Sequence, residues 1–162
     1  MPRKTFAGMN CSITRTLDVV GERWSMLIIR DAFQGLTRFD QFQARLGISR
    51  NILTDRLDQL VSRGVLDRRL YHEHPARYDY VLTDKGRDLW PVMTTLRQWG
   101  DRWEAPDGRP LVAEHRSCGH PLGAVLACEH CGGQLDHASV KLSPGPGARP
   151  DLSPVPVPAS AD

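Results

Sequence analysis

The chain has 162 residues, of which 40% are hydrophobic and 25% charged, and its formal net charge is +2 at pH 7. This length suits one globular domain with an appendage, and no apolar run approaches the about 20 residues that a membrane-spanning helix needs. Because residues 1–10 also lack the apolar segment of a signal peptide, we expect a cytoplasmic protein without a membrane partner, whose four cysteines are thiols or metal ligands rather than disulfides.

Three short helices are expected after a flexible, slightly basic arm at residues 1–10. In each helix the apolar residues recur at helical spacing, and Gly21 and Gly35 separate the three segments. The predicted ranges are about Ser12 to Val20, Arg23 to Phe33, and about Arg38 to Leu46.

A fourth helix is predicted after a tight turn from Gly47 to Ser49. Gly47 can end the third helix in the left-handed conformation, and the Ser49 hydroxyl can cap the fourth helix. Leu53, Leu57 and Leu60 recur on one face, which is therefore predicted to be buried. A helix, a short glycine-containing turn and a second helix form the helix-turn-helix arrangement. Taken alone, this segment would fit an ordinary amphipathic surface helix better than a DNA-binding helix.

The first turns of this fourth helix carry short polar side chains and arginine, which suit insertion into a DNA major groove. We expect Arg50, Asn51 and Thr54 to contact bases beside Ser49, since asparagine pairs well with adenine and arginine with guanine. Four further arginines are expected to hold backbone phosphates: Arg38, Arg56, Arg68 and Arg69.

Two strands are predicted next, at Val65 to Tyr71 and at Arg77 to Leu82, and a polar tip joins them. A hairpin directly after the recognition helix is the wing of a winged helix. Arg77 on this wing is expected to contact the minor groove or a phosphate. The alternative is a solvated hairpin edge that its charge protects from aggregation.

A last helix is expected from Asp84 to about Trp103, with a kink or a restart at Pro91. Its apolar stripe is too long for a small winged-helix body to cover, so we expect it to pack against a second subunit; the alternative is a purely intramolecular core helix. Two recognition helices in a homodimer suit a palindromic operator in double-stranded DNA. The expected fold class is mainly α (α+β), a winged helix-turn-helix with a two-stranded wing and a C-terminal dimerisation helix.

The motifs between residues 11 and 104 resemble the HxlR-type winged helix-turn-helix regulators. The resemblance rests on these segments: Thr16 to Trp24, Arg38-Phe39, Ile48 to Leu57, Tyr78 with Tyr80, Lys85-Gly86, and Trp99 to Trp103. It implies a homodimeric transcription regulator, most often a repressor, whose dimers pack through the first and last helices. It also implies release by a small-molecule or thiol-reactive effector, because several members of the family sense electrophiles or oxidants through an N-terminal cysteine.

Cys11 occupies the place of that N-terminal cysteine. It lies at or just before a helix start, where the helix dipole can lower the pKa of a thiol. We therefore consider Cys11 a candidate sensor of redox signals or electrophiles. The alternative is a small apolar residue that packs at the dimer interface, since free cysteine is commonly buried.

A second cysteine-rich segment lies at residues 110–142, after a linker at residues 105–109. His115 and Cys118 form one His-x₂-Cys pair, and Cys128 and Cys131 form a Cys-x₂-Cys pair. Two such pairs on two turns suit a tetrahedral structural zinc in a small ribbon-like extension. His120, His130 or His137 could replace His115 as a ligand, and a metal-free hairpin with leftover thiols is the alternative.

The last residues, 143–162, are rich in proline and are expected to form a disordered tail. The sequence lacks a His-Glu-x-x-His motif, a deaminase motif, a phosphate loop and a Gly-x-Ser-x-Gly motif, so we do not expect an enzyme. The leading interpretation is a sequence-specific DNA-binding regulator, with residues 11–104 as its DNA-binding and dimerisation domain. The alternative is a protein-interaction module that uses the extension and the tail.

Overall fold

The structure is a computed structural model that describes residue 6 and residues 8–149. Most of the predicted arm and residues 150–162 of the predicted tail lie outside the described residues. The elements in chain order are α1 (Ser12–Val20), α2 (Arg23–Phe33), α3 (Phe39–Leu46), α4 (Arg50–Ser62), β1 (Leu66–His72), β2 (Arg77–Leu82), α5 (Asp84–Arg87) and α6 (Trp90–Trp103). Within the described residues, no helix is both long enough and apolar enough to cross a membrane.

The order of helices and the antiparallel hairpin confirm the predicted winged helix-turn-helix fold. Strands β1 and β2 pair with Leu66 opposite Leu82 at the base of the wing. A register shift between Leu70 and His72 lies near its tip, where an irregularity increases the local twist of the hairpin.

The core of the winged helix consists of apolar side chains from three helices, and it contains the α4 leucines whose spacing predicted a buried face. The fully buried members are Ile28 and Ile29 of α2, Phe42 of α3, and Leu53, Leu57 and Leu60 of α4. Val65 and Leu66 extend this core to the start of the wing. Burial of this kind fixes α4 along one face and leaves its other face exposed.

The turn between α3 and α4 has the predicted left-handed glycine and serine cap. Gly47 adopts the left-handed conformation, with φ 63° and ψ 21°, and a side chain there would strain the backbone. Ser49 is the N-cap of α4, and its hydroxyl accepts a hydrogen bond from the Ile52 amide at 3.4 Å. The short turn therefore sets the direction in which α4 leaves α3.

The predicted long last helix is interrupted, and it restarts at Trp90 with Pro91 in its first turn. Proline has no amide hydrogen and suits the first turn of a helix, where that donor would lack an intrahelical acceptor. The short helix α5 before it packs tightly, because a Cβ at Gly86 would lie 2.2 Å from the carbonyl oxygen of Val65. Of the two predicted possibilities, the structure therefore shows a restart of the helix at Pro91 and not a kink within one continuous helix.

The described chain divides into two compact units, one ending at Arg87 with residues 144–149 added, and the other spanning Asp88–Ser143. The second unit contains α6 and the cysteine-rich extension. Inside it, the side-chain amide of Gln98 pairs with the backbone of Ala124 through hydrogen bonds of 2.6 Å and 3.3 Å. The predicted domain of residues 11–104, which includes α6, stays a prediction.

Candidate DNA-binding surface

The exposed face of α4 begins with the residues expected to contact bases. Ser49, Arg50, Asn51 and Thr54 are all exposed, with Asn51 and Thr54 on the side away from the buried leucines and Arg50 on the flank of that side. They are grouped in the first turns because the Ser49 cap starts the helix there and the leucine spacing orients it. The arrangement presents one guanidinium, one amide and one hydroxyl in a short span of helix.

The same face of α4 becomes acidic beyond its first turns, where Asp55 and Asp58 are both exposed. Carboxylates there repel the phosphate backbone of DNA and the hydrogen-bond acceptors on its base edges, so this part of the helix is unsuited to contact them. The N-terminal end of α4 is therefore the part of this helix that is best suited to approach a groove.

Arg50 packs its guanidinium against the ring of Phe39, the first residue of α3, at 5.1 Å from the ring centroid. A cation over an aromatic face is held by the electron-rich ring. This contact limits the freedom of a long side chain at the position nearest the expected groove. The sequence spacing did not indicate it, because the two residues belong to different helices.

An open cavity with a volume of about 550 Å³ lies between the start of α4 and the wing. We call it the wing cavity, and its lining residues are Phe39, Asp40, Arg50, Tyr71, Pro75, Ala76, Arg77, Tyr78 and Tyr80. It brings Arg50 of the recognition helix and Arg77 of the wing to one surface. Within the described residues, neither of these two arginines forms an ion pair with a carboxylate.

The wing is fastened to the segment before α3 by a network that the sequence analysis missed. The Tyr80 amide donates to the Thr37 carbonyl oxygen at 2.7 Å, and the Thr37 hydroxyl donates to the Asp79 carboxylate at 2.8 Å. The same carboxylate lies 3.8 Å from the Arg38 guanidinium, which also stacks over Tyr71 at 4.7 Å. Arg38, predicted to hold a phosphate, therefore also holds the wing in place.

The other predicted phosphate-binding arginines have acidic neighbours. On the wing, Arg68 lies 3.8 Å from Asp58 and stacks over a tyrosine, and Arg69 lies 3.1 Å from Asp67. Both side chains are exposed, so solvent screens these pairs and phosphates can compete with them. Their phosphate contacts stay predictions.

Arg56 has a different environment from the other predicted arginines. Its guanidinium lies 3.3 Å from the Glu22 carboxylate, and only 22% of its side chain is exposed. Glu22 also caps α2 by accepting a hydrogen bond from the Trp24 amide at 3.1 Å. The structure thus joins Arg56 to the start of α2 and does not bring it to the wing cavity, where Arg50 and Arg77 lie.

Cys11 is the N-cap residue of α1, and the residue is half-buried. The amide groups of Thr14 and Ile13 in the first turn of α1 lower the pKa of the Cys11 thiol by stabilising the thiolate. The position is therefore the one expected from the sequence. A thiolate is the reactive form of cysteine toward electrophiles and oxidants.

The predicted metal ligands lie in pairs on two separate turns of the extension. His115 Nδ1 lies 3.3 Å from Cys118 Sγ. In the other turn, the Cys131 and His130 amides lower the pKa of the Cys128 thiol. Among the described residues, no group of three or more histidine, cysteine or acidic side chains is arranged to hold a metal ion. The structure therefore assembles each pair and does not bring the two pairs together.

Comparisons with known proteins agree with this architecture. Residues 19–107 match the family described as HxlR-like helix-turn-helix. An uncharacterized HTH-type transcriptional regulator of Mycobacterium tuberculosis is 43% identical over 143 residues, which cover 88% of this chain and 90% of that protein. The solved structure of PA1607, a candidate transcription factor, is 42% identical with a TM-score of 0.74 over 83% of this chain and 94% of that one.

A more distant solved structure is that of the redox regulator HypR in its oxidized form. It is 33% identical with a TM-score of 0.51, over 56% of this chain and 94% of that one. The family match spans more than half of the chain and contains the helix-turn-helix and the wing. The chain therefore belongs to the HxlR-like helix-turn-helix family and is a DNA-binding transcriptional regulator.

Proposed function

We propose that this regulator is a homodimeric repressor that binds a palindromic operator and is released when a thiol-reactive signal modifies Cys11. The observation that carries the DNA-binding part is the exposed first turn of α4, where Arg50 faces the same cavity as Arg77 of the wing. Helix α4 would enter the major groove with Arg50, Asn51 and Thr54 at the bases. Arg77 would lie against the adjoining minor groove or its phosphates.

The proposed dimer is supported by the exposed apolar face of α6. Val92, Leu96, Trp99 and Trp103 follow one another at helical spacing, and between 44% and 62% of each is exposed. A contiguous apolar surface of this kind on a small protein marks an interaction site. In α1, Ile13 and Leu17 are also exposed one turn apart, and they would give the second copy a separate apolar contact.

The proposed signal is supported by the state of Cys11. Its lowered pKa favours the reactive thiolate, and the similar protein HypR is a redox regulator that has been solved in oxidized and reduced forms. Because α1 carries part of the proposed dimer contact, a group added to Cys11 would change how the two copies pack. The spacing between the two recognition helices would change with it.

The proposed function can be tested by footprinting on the DNA beside the gene for this protein. We expect protection of a palindromic site in which the half-site centres lie about one helical turn apart. Affinity should fall steeply between about 50 and 200 mM salt, because several phosphate contacts release counterions. A protein that stays monomeric and binds this DNA no better than random duplex would contradict the proposal. Binding to a protein partner that salt does not weaken would favour an interaction module instead.

Replacing Cys11 with serine is expected to leave operator binding intact and to prevent release by N-ethylmaleimide. In the unmodified protein, the rate of alkylation should level off at a lower pH than for a free thiol in solution, since the lowered pKa gives thiolate at lower pH. Fluorescence anisotropy on labelled operator measures release, and mass spectrometry locates the adduct. Ser12→Ala, an exposed neighbour of Cys11 in α1, is the control, which should still be released. Equal release of Cys11→Ser would show that the sensing thiol lies elsewhere.

A further inference from the structure

The extension contains the same turn twice, thirteen residues apart. His115 and Cys128 are thirteen positions apart, and so are Cys118 and Cys131. In the first copy, the His115 amide donates a hydrogen bond across the turn to the His120 carbonyl oxygen at 2.9 Å. In the second copy, the Cys128 amide donates to the Gly133 carbonyl oxygen, also at 2.9 Å. The closing bonds also correspond, from Leu122 to Ala113 at 2.7 Å and from Leu135 to Leu126 at 2.8 Å.

The inner geometry of the two turns also corresponds. Gly119 and Gly132 each follow the second residue of a pair, and both adopt left-handed backbone, with φ of 70° and 71°. The Gly119 amide donates a hydrogen bond to the His115 carbonyl oxygen, and the Gly132 amide donates to the Cys128 carbonyl oxygen, each at 2.8 Å. Left-handed backbone at this place in both copies explains the two glycines. Such a turn places the side chains of the pair on the same side.

Donor spacing within the first turn fits a metal ion. The His115 Nδ1 and Cys118 Sγ atoms are 3.3 Å apart. Zinc bonds of about 2.0 Å to nitrogen and about 2.3 Å to sulfur, at a tetrahedral angle, place two such ligand atoms about 3.5 Å apart. The first pair is therefore already close to the geometry of two ligands on one ion.

We propose that the two turns are the halves of one structural zinc site, with His115, Cys118, Cys128 and Cys131 as its four ligands. The correspondence identifies the histidine, because His115 occupies the position that Cys128 has in the second copy. His120 corresponds to Gly133, and its Nδ1 already lies 2.9 Å from the Cys118 carbonyl oxygen. His130 corresponds to Ser117, in the middle of a turn. Neither of these two occupies a ligand position.

The extension also lacks the folding stability that a bound metal ion would supply. None of residues 105–143 is buried, so the segment has no hydrophobic core of its own, and small domains of this kind are commonly held by a metal. Residues 123–125 join the two turns, and Ala124 among them is hydrogen-bonded to Gln98 of α6. Zinc would draw the two pairs together across this connection, and the three thiols would lose protons as they bind.

The test uses the full-length, reduced and metal-free chain titrated with Co²⁺, and then with Zn²⁺. We expect one cobalt per chain, with the intense visible bands of a tetrahedral ion and sulfur-to-cobalt charge-transfer absorption, both of which zinc should abolish. His115→Ala and Cys128→Ser should each weaken cobalt binding by more than about 100-fold. His120→Ala, His130→Ala and Cys11→Ser are the matched controls, which should bind as the unmodified chain does.

His115→Cys separates loss of a ligand from loss of folding, because it should restore binding with the spectrum of an all-thiolate site. Hydrogen exchange gives an independent readout, in which zinc should increase protection within residues 110–142. The proposal is overturned if no cobalt binds in the tetrahedral form. It is also overturned if His120→Ala or His130→Ala abolishes binding while His115→Ala does not.

Discussion

Replacing Arg50 with alanine is expected to abolish most of the preference for the operator over random DNA. A bidentate arginine–guanine contact contributes about 1–3 kcal/mol of discrimination, or about 5- to 150-fold, and a dimer loses it at both half-sites. The substitution also leaves the half-buried ring of Phe39 without its cation. Competition binding with operator and random duplexes measures the loss.

Arg63→Ala is the matched control for this experiment. Arg63 is an exposed arginine at the other end of α4, where it forms the C-cap, so its loss removes the same charge away from the expected groove. We expect it to change affinity slightly and specificity not at all. Arg50→Lys should retain affinity for random DNA and lose discrimination, because lysine cannot make the forked contact. If Arg50→Ala and Arg63→Ala lower the affinity for all duplexes equally, Arg50 does not read a base.

Replacing Leu96 with glutamate is expected to dissociate the proposed homodimer. Leu96 lies in the middle of the exposed apolar stripe of α6, with half of its surface exposed in the single chain. A two-fold axis would bury this residue in both copies, and each unpaired buried charge costs several kcal/mol. We expect the dissociation constant of the dimer to rise by more than about 100-fold. Operator affinity should fall with it, since one recognition helix is left for each molecule.

Leu142→Glu provides the comparison for this dimer experiment. Leu142 is 77% exposed, and it lies in the extension rather than on α6. The variant should remain dimeric in analytical ultracentrifugation and should bind the operator normally. If Leu96→Glu also sediments as a dimer, the second copy packs on another surface, and α6 has a different role.

The local features of this fold could be predicted from the sequence because they depend on neighbouring residues. The left-handed Gly47, the Ser49 cap and the restart at Pro91 each express a property of one or two side chains. The buried faces of the helices follow from the spacing of apolar residues. These signals were sufficient to place the exposed first turn of α4, which is the centre of the candidate site.

The tertiary contacts of the candidate site could not be read in this way. The Thr37 and Asp79 side chains that fasten the wing are 42 positions apart, and nothing in the spacing indicates that they meet. The same holds for Glu22, which pairs with Arg56. The sequence therefore did not indicate that each of the four arginines predicted to hold phosphates has an acidic neighbour.

The carboxylates beside the arginines of this surface have a consequence for how the protein would search a genome. Asp79, Glu22, Asp58 and Asp67 lie next to Arg38, Arg56, Arg68 and Arg69, respectively. Part of the positive potential that would attract any duplex is neutralised within the protein, so its residence on unrelated sequence should be brief. Sliding along random DNA would then be short, and occupancy of the correct site would depend mainly on base contacts made by two subunits at once.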